Sequence, residues 1–189
     1  MKIRMQLLSD VVFGSGESVP GGEDLSILSD EHGFPYYKGG TFKGIFREEM
    51  RNYLAWTMAE KDNIDTQMKR LLGIDGDDTQ NPDKLVFSDF TLSDYVRQQI
   101  MAEMGDGQKY MVQDALSDIR TFTAISSSGI VQEGSLRQCR CVNKGLNFYS
   151  EVRCLPTDEE LVKEVLSVIK WVGTMRNRGF GKVKLTVIS

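Results

Sequence analysis

Two short segments combine glycine with cationic side chains, and both suit the chemistry of holding a phosphate-rich polymer without reading its bases. The first runs Gly39-Gly40-Thr41-Phe42-Lys43-Gly44-Ile45-Phe46-Arg47, with Lys38 before it and Arg51 one turn beyond. The second is Arg176-Asn177-Arg178-Gly179-Phe180-Gly181-Lys182, entered through Gly173. Glycine allows a backbone to approach an anion closely, and a helix start adds unpaired amides and a positive dipole end. Lys43 and Arg47 stand four residues apart and share one helix face. In the second segment Arg176 and Arg178 bring guanidinium forks, Lys182 adds a third cation, and Phe180 offers a ring that can pack or stack. Neither segment is a P-loop, because the spacing Gly-x-x-x-x-Gly-Lys-Ser/Thr is absent, so nucleoside triphosphate hydrolysis is not expected. The two lie at opposite ends of the chain, so a single site requires the fold to bring them together.

Catalytic groups are sparse. His32 is the only histidine, which excludes a two-histidine ribonuclease mechanism. Cys139, Cys141 and Cys154 find no fourth Cys or His ligand for a tetrahedral zinc site, so no metal-ligand set is assigned. Their odd number suits reduced thiols in a cytoplasmic protein. Glu23 and Asp24 follow a glycine-rich stretch, upstream of the first basic segment. A carboxylate there, beside bound phosphates, could hold Mg²⁺ or orient a ribose hydroxyl for attack on its own phosphodiester.

These groups must be positioned by a chain of 189 residues, enough for one domain with an inserted lobe. The net charge of −4 hides a segregation. From Asp62 to Asp118 there are twelve acids against five bases, whereas Val165 to Ser189 holds five bases and no acid. Such sorting can present a positive stripe beside an acidic face. No apolar run nears the roughly 20 residues of a membrane span. Ile3, Met5 and Leu7 alternate as a first strand. Phe42, Phe46, Met50, Tyr53, Leu54 and Met58 recur at helical spacing, predicting a helix from Thr41, as N-cap, to about Lys61. A short helix over Met68 to Gly73 follows, then an exposed loop at Gly76 to Pro82 and a buried strand over Leu85 to Phe90. Residues 62–118 read largely as a peripheral insertion. A β-hairpin arm spans about 119–134, and Leu136–Asn143 and Leu146–Leu155 are expected to pair through Asn143-Lys144-Gly145. Proline and a capping Thr157 open a helix whose apolar face is Leu161, Val165, Val168, Ile169 and Val172; a last strand covers Val183–Ile188. The order βαβ…ββαβ predicts an α+β, ferredoxin-like (RRM-like) core with an inserted lobe and a hairpin.

The pieces together resemble the RAMP superfamily, and within it the repeated backbone subunit of type III CRISPR effector complexes. The resemblance is carried in order by Phe13-Gly14-Ser15-Gly16, Gly33 through Gly44, Leu71-Leu72-Gly73 with Leu85 to Asp89, Ile119-Arg120 through Leu136, and Arg178-Gly179-Phe180-Gly181. It implies one RAMP domain over 1–189 that stacks with copies of itself and with other effector subunits along a guide crRNA. Guide RNA would be gripped through Lys38, Gly39, Gly40, Thr41, Lys43, Arg47, Arg51, Arg120, Arg137, Arg176, Arg178, Gly179, Phe180 and Lys182. The hairpin Arg120 to Gly134 resembles the family's thumb, which pushes between nucleotides. Asp24, or less favourably Glu23, matches the aspartate with which catalytic members cut complementary target RNA, using Mg²⁺ or another divalent metal and the target's own 2′-hydroxyl. The Gly21-Gly22-Glu23-Asp24 loop and Gly39-Gly40-Thr41-Phe42 depart from the family's usual pattern. A non-catalytic spacer subunit, a guide-processing endonuclease of the same superfamily and a plain RRM module are the alternatives.

Overall fold

The computed structural model describes residues 1–16, 23–57, 61–73, 83–104, 109–130, 132 and 134–188. The glycine-rich stretch at 17–22, the end of the first expected helix at 58–60 and the loop at 76–82 lie outside the described residues. So do positions 131 and 133 of the hairpin. Alternation of apolar and polar side chains builds β1 (Lys2–Leu7), β6 (Asn147–Arg153) and β7 (Val183–Ile188). Two shorter strands, β2 (Val86–Phe87) and β3 (Thr91–Leu92), line one edge. The sheet order is β2-β6-β1-β7 with β3 also on β6, and every pairing is antiparallel. Helix α1 (Gly39–Thr57) follows β1 and α5 (Glu159–Val168) precedes β7. Order and pairing together are those of a ferredoxin-like α+β fold.

The core lies between the sheet and these two helices. Ile3, Met5 and Leu7 of β1 meet Phe42, Phe46, Met50 and Leu54, which recur every four residues on α1, and Val162, Val165 and Leu166 of α5. Each fully buried phenylalanine here contributes about 1.5–3 kcal/mol of transfer free energy, which is what orders α1 on the sheet. Helix α2 (Lys61–Leu72) packs on α1 and starts earlier than the expected short helix. Arg70 ties α2 to the start of α5 by a two-toothed bond to buried Asp158, with nitrogen–oxygen distances of 2.9 and 2.6 Å. Asp158 thus holds the helix entry through an ion pair, and no side chain caps α5, contrary to the expected role of Thr157.

Three further differences from the sequence reading have physical reasons. The expected strand over 85–90 breaks at 88–90, where Ser88 and Asp89 turn aside to bond Ser150, Glu151 and Gly39. Because β2 and β3 belong to the central sheet, the stretch 62–118 is not one insertion. Its outlying part is α3 (Asp94–Met104) and α4 (Lys109–Leu116). Finally, β5 (Arg137–Val142) does not pair with β6. It pairs with β4 (Ser117–Phe122) as a separate two-stranded sheet, while β6 enters the central one. Gly145 marks the passage between the sheets, its N–H donating to the Leu7 carbonyl.

Candidate nucleic-acid interface

The first basic segment is not a turn before a helix but the helix itself. Gly39 opens α1, and its N–H donates to Asp89 Oδ1 at 2.8 Å, so Asp89 and not Thr41 receives the leading amide. Glycine is required there by close approach: a Cβ on Gly39 would lie 2.2 Å from the Phe87 carbonyl oxygen. Gly40, Thr41 and Gly44 face outward, and a Cβ on Gly40 or Gly44 would meet nothing within 4 Å. Among the described residues nothing asks for glycine at these two positions, although glycine in a helix costs up to about 1 kcal/mol relative to alanine. Lys38 is exposed beside them and Lys43 is half-buried on the next turn. Arg47 and Arg51 point elsewhere, toward α2: Arg47 donates to the Leu72 carbonyl at 3.5 Å and Arg51 pairs with Asp65 at 3.4 Å.

The second segment is tied down at both ends. Thr174 N–H donates to the Val12 carbonyl and Gly181 N–H to the Asp10 carbonyl. Gly181 has φ +83° and a Cβ there would fall 2.0 Å from the Val172 oxygen, so only glycine closes this loop. Met175 takes a left-handed conformation, φ 58°, and packs beside Val12, Cys139 and Cys141. A one-turn 3₁₀ segment at Arg176–Arg178 then sends both arginines into solvent.

Tyr37 connects the two segments. Its ring stacks at 4.7 Å on Phe13, the neighbour of Val12, whose carbonyl accepts from the Thr174 N–H of the late loop. Burial pushes the phenol's pKa up, against the lowering pull of the Gly173 backbone and of the Arg176 charge. The start of the late loop therefore lies against the residue two before α1. Its other half reaches the β4–β5 hairpin. Arg178 lies over the Phe122 ring at 5.2 Å, and Phe180 meets the same ring edge-on at 5.8 Å. Two open cavities share Arg178. One, of about 440 Å³, is lined by Phe122, Gly134, Ser135 and Arg137 among others. The other, of about 330 Å³, includes Asp10, Arg120, Lys144 and Gly179. Arg120 is held at 2.8 Å by Asp10. Lys182 is exposed where the loop rejoins β7; its backbone bonds Ser9 and Leu8. Beyond the base, the hairpin carries exposed Ile125, Ile130 and Leu136.

Glu23 and Asp24 lie along the outer edge of β5, where Leu25 bridges to Cys139. Asp24 accepts from the Gln138 N–H at 2.8 Å, with Arg137 at 3.5 Å, and its side chain stays 43% exposed. Glu23 is 13% exposed and bound by two nitrogens of Arg140, at 2.7 and 2.6 Å. Arg140 also bonds Asp114 and Ser117; burial lowers its pKa, but the bonds to Asp114 and Glu23 outweigh this and raise it. Arg140, Asp10 and Phe122 escaped the sequence reading. The usable signal was an arginine between two cysteines on an alternating strand, facing away from the core. Among the described residues no three of His, Cys, Asp and Glu converge into a metal cage. Asp24 offers one accessible carboxylate, the kind of protein ligand a largely hydrated Mg²⁺ takes beside phosphates; Glu23, sequestered by Arg140, does not fit that part.

No curated protein matches this chain by sequence. Among solved structures it is similar to one of type III-B Cmr-beta bound to cognate target RNA, with a TM-score of 0.68 at 14% identity over 97% of this chain and 95% of that one. It is equally similar to a type III-B Cmr-beta structure of the apo state, with a TM-score of 0.68 at 14% identity over 98% and 95% of the two chains. These likenesses establish the shared fold. The RAMP superfamily model matches residues 4–184, nearly the whole chain, and the protein belongs to that superfamily.

Proposed function

We propose that this chain is a backbone subunit of a type III CRISPR RNA-guided effector, gripping guide RNA through its phosphates. The observation that carries the reading is the late loop's double contact, with the α1 entry through Val12 and the Phe13–Tyr37 stack and with the hairpin base through Phe122. One path then collects Lys38, the outward glycines of α1, Arg176, Arg178 and Arg137. Guanidinium groups and close backbone approach bind phosphate independently of sequence, while base pairing to the guide supplies readout. The exposed isoleucines and leucine of the hairpin suit an apolar wedge between stacked bases. The RAMP membership and the likeness to a chain solved in Cmr-beta bound to target RNA support the assignment.

The test is the salt dependence of RNA affinity. Arg176→Ala/Arg178→Ala should weaken binding alike for unrelated RNA sequences and reduce the slope of log K against log salt by about 1.4, or about 0.7 per lost phosphate contact. An unchanged slope and affinity would remove the loop from the interface.

Cleavage of the complementary strand is the second part of the reading, and Asp24 is its residue because it is the accessible carboxylate of the pair. Released from Arg137, which a phosphate can attract away, Asp24 would take the proton of the target's 2′-hydroxyl as that oxygen attacks the adjacent phosphorus. The bond from phosphorus to the next nucleotide's 5′-oxygen breaks, that oxygen leaves with a proton from water, and a 2′,3′-cyclic phosphate remains. Bound Mg²⁺ would supply charge stabilisation on the phosphate.

A further inference from the structure

The helices cover one face of the central sheet. On the other face, among the described residues, Lys2, Lys184 and Glu151 are exposed and Arg4, Gln6, Tyr149 and Thr186 half-buried, and that face has a composition of its own. Strand register sets three rows across it: Lys184–Gln6–Asn147, then Thr186–Arg4–Tyr149–Thr91, then Ile188–Lys2–Glu151. Three cations and one acid stand on these rows, in a chain that is acidic overall. Arg4 lies at the centre, and its buried Nε has no hydrogen-bond partner among the described residues. Tyr149 is beside it on β6, half-buried, with Lys2 Nζ 5.6 Å from the ring centroid. Two adjoining grooves of about 540 and 290 Å³ open along the same edge and share Lys2, Ser88 and Glu151. At the opposite end, exposed Leu8 belongs to the cavity that holds Arg120, Lys144 and Arg178.

We infer that this open sheet face is a second binding surface for single-stranded RNA, separate from the loop-and-hairpin groove and continuous with it past Leu8. The occupant follows from charge and shape. A row of cations around one flat aromatic ring complements a polyanion that carries stackable bases. A six-residue strand, about 20 Å long, spans the length over which a four-stranded sheet takes two or three bases. Tyr149 serves as the stacking ring, the half-buried Arg4 as a second planar group, and Lys2 and Lys184 as phosphate contacts.

The experiment uses the full chain and an oligouridylate containing 4-thiouridine. Irradiation should crosslink RNA to the peptide bearing Tyr149. Arg4→Gln and Lys184→Glu should each lower affinity about fivefold or more at low salt, with melting temperature unchanged for the exposed Lys184→Glu. Tyr149→Phe should keep the crosslink and affinity that Tyr149→Leu loses. If both charge variants bind like wild type and crosslinks fall only on the 173–182 loop and the hairpin, the inference is overturned. It is equally overturned if those variants lose self-association while RNA affinity stays intact, since the face then docks protein. Crosslinks on β6 together with an inert Arg176/Arg178 variant would uphold this surface and sink the groove reading instead.

Discussion

Asp24 and Glu23 are neighbours held in different ways. Glu23 is locked to Arg140, whereas Asp24, 43% exposed, is held only by the Gln138 amide at 2.8 Å and by Arg137 at 3.5 Å. Asp24→Ala should therefore leave RNA binding and assembly unchanged while complementary target RNA stays intact in Mg²⁺; continued cutting by that variant would remove Asp24 from the chemistry. Glu23→Ala should act differently. It strands Arg140, 12% exposed, with only Asp114 and Ser117, and should lower stability by about 1–3 kcal/mol. Urea denaturation would register that loss. The thiols make a separate statement at this scale. Burial above all pushes Cys141 up to about 11 and raises Cys139 and Cys154 as well. The thiolate is the reactive form, so a raised pKa means less of it at any pH below that value. Alkylation by iodoacetamide at pH 8 should be slow in the folded protein and complete at three sites in urea, as read by mass. Fast labelling of Cys141 in the native state would contradict the packing.

At the scale of elements, α1 joins fold and function. Its inner row of Phe42, Phe46, Met50 and Leu54 anchors it, and its outer row holds Gly40 and Gly44, which no contact among the described residues explains. Gly44→Ala should stabilise the free protein by up to about 1 kcal/mol in thermal melting, because alanine is the better helix former. If α1 meets RNA as proposed, the same change should weaken RNA binding, because the new methyl group would stand in the path of the phosphate backbone. Stability and affinity moving in opposite directions is a signature that a purely structural glycine does not produce. This helix also shows what the sequence made legible. The period of its apolar row was plain, as was the alternation in β1 and β7, because each is written in nearest neighbours. Its start was not. Glycines read as a turn until the carbonyls of Phe87 and Ser88, fifty residues away, come within reach of Gly39. The β4–β5 pairing was hidden for the same reason: β5 and β6 are joined by an ideal hairpin signal, and only the central sheet's need for β6 separates them.

Over the whole molecule, the charge segregation seen in the sequence becomes geography. The basic C-terminal stretch forms the loop between α1 and the hairpin, with β7 contributing Lys184 to the open sheet face. What the sequence left open was how the two glycine-rich segments are connected, and the Phe13–Tyr37 stack beside the Val12–Thr174 backbone bond answers it, since no local pattern announces either contact. The candidate acids were legible by type but not by partner, because Arg137, Gln138 and Arg140 lie more than a hundred residues later. The most direct test is to isolate the protein from its native host and sequence what nucleic acid elutes with it. The account predicts small guide RNAs of varied sequence, accompanied by sibling effector subunits, released together as salt rises. Protein that emerges free of RNA at low salt, and alone, would contradict it.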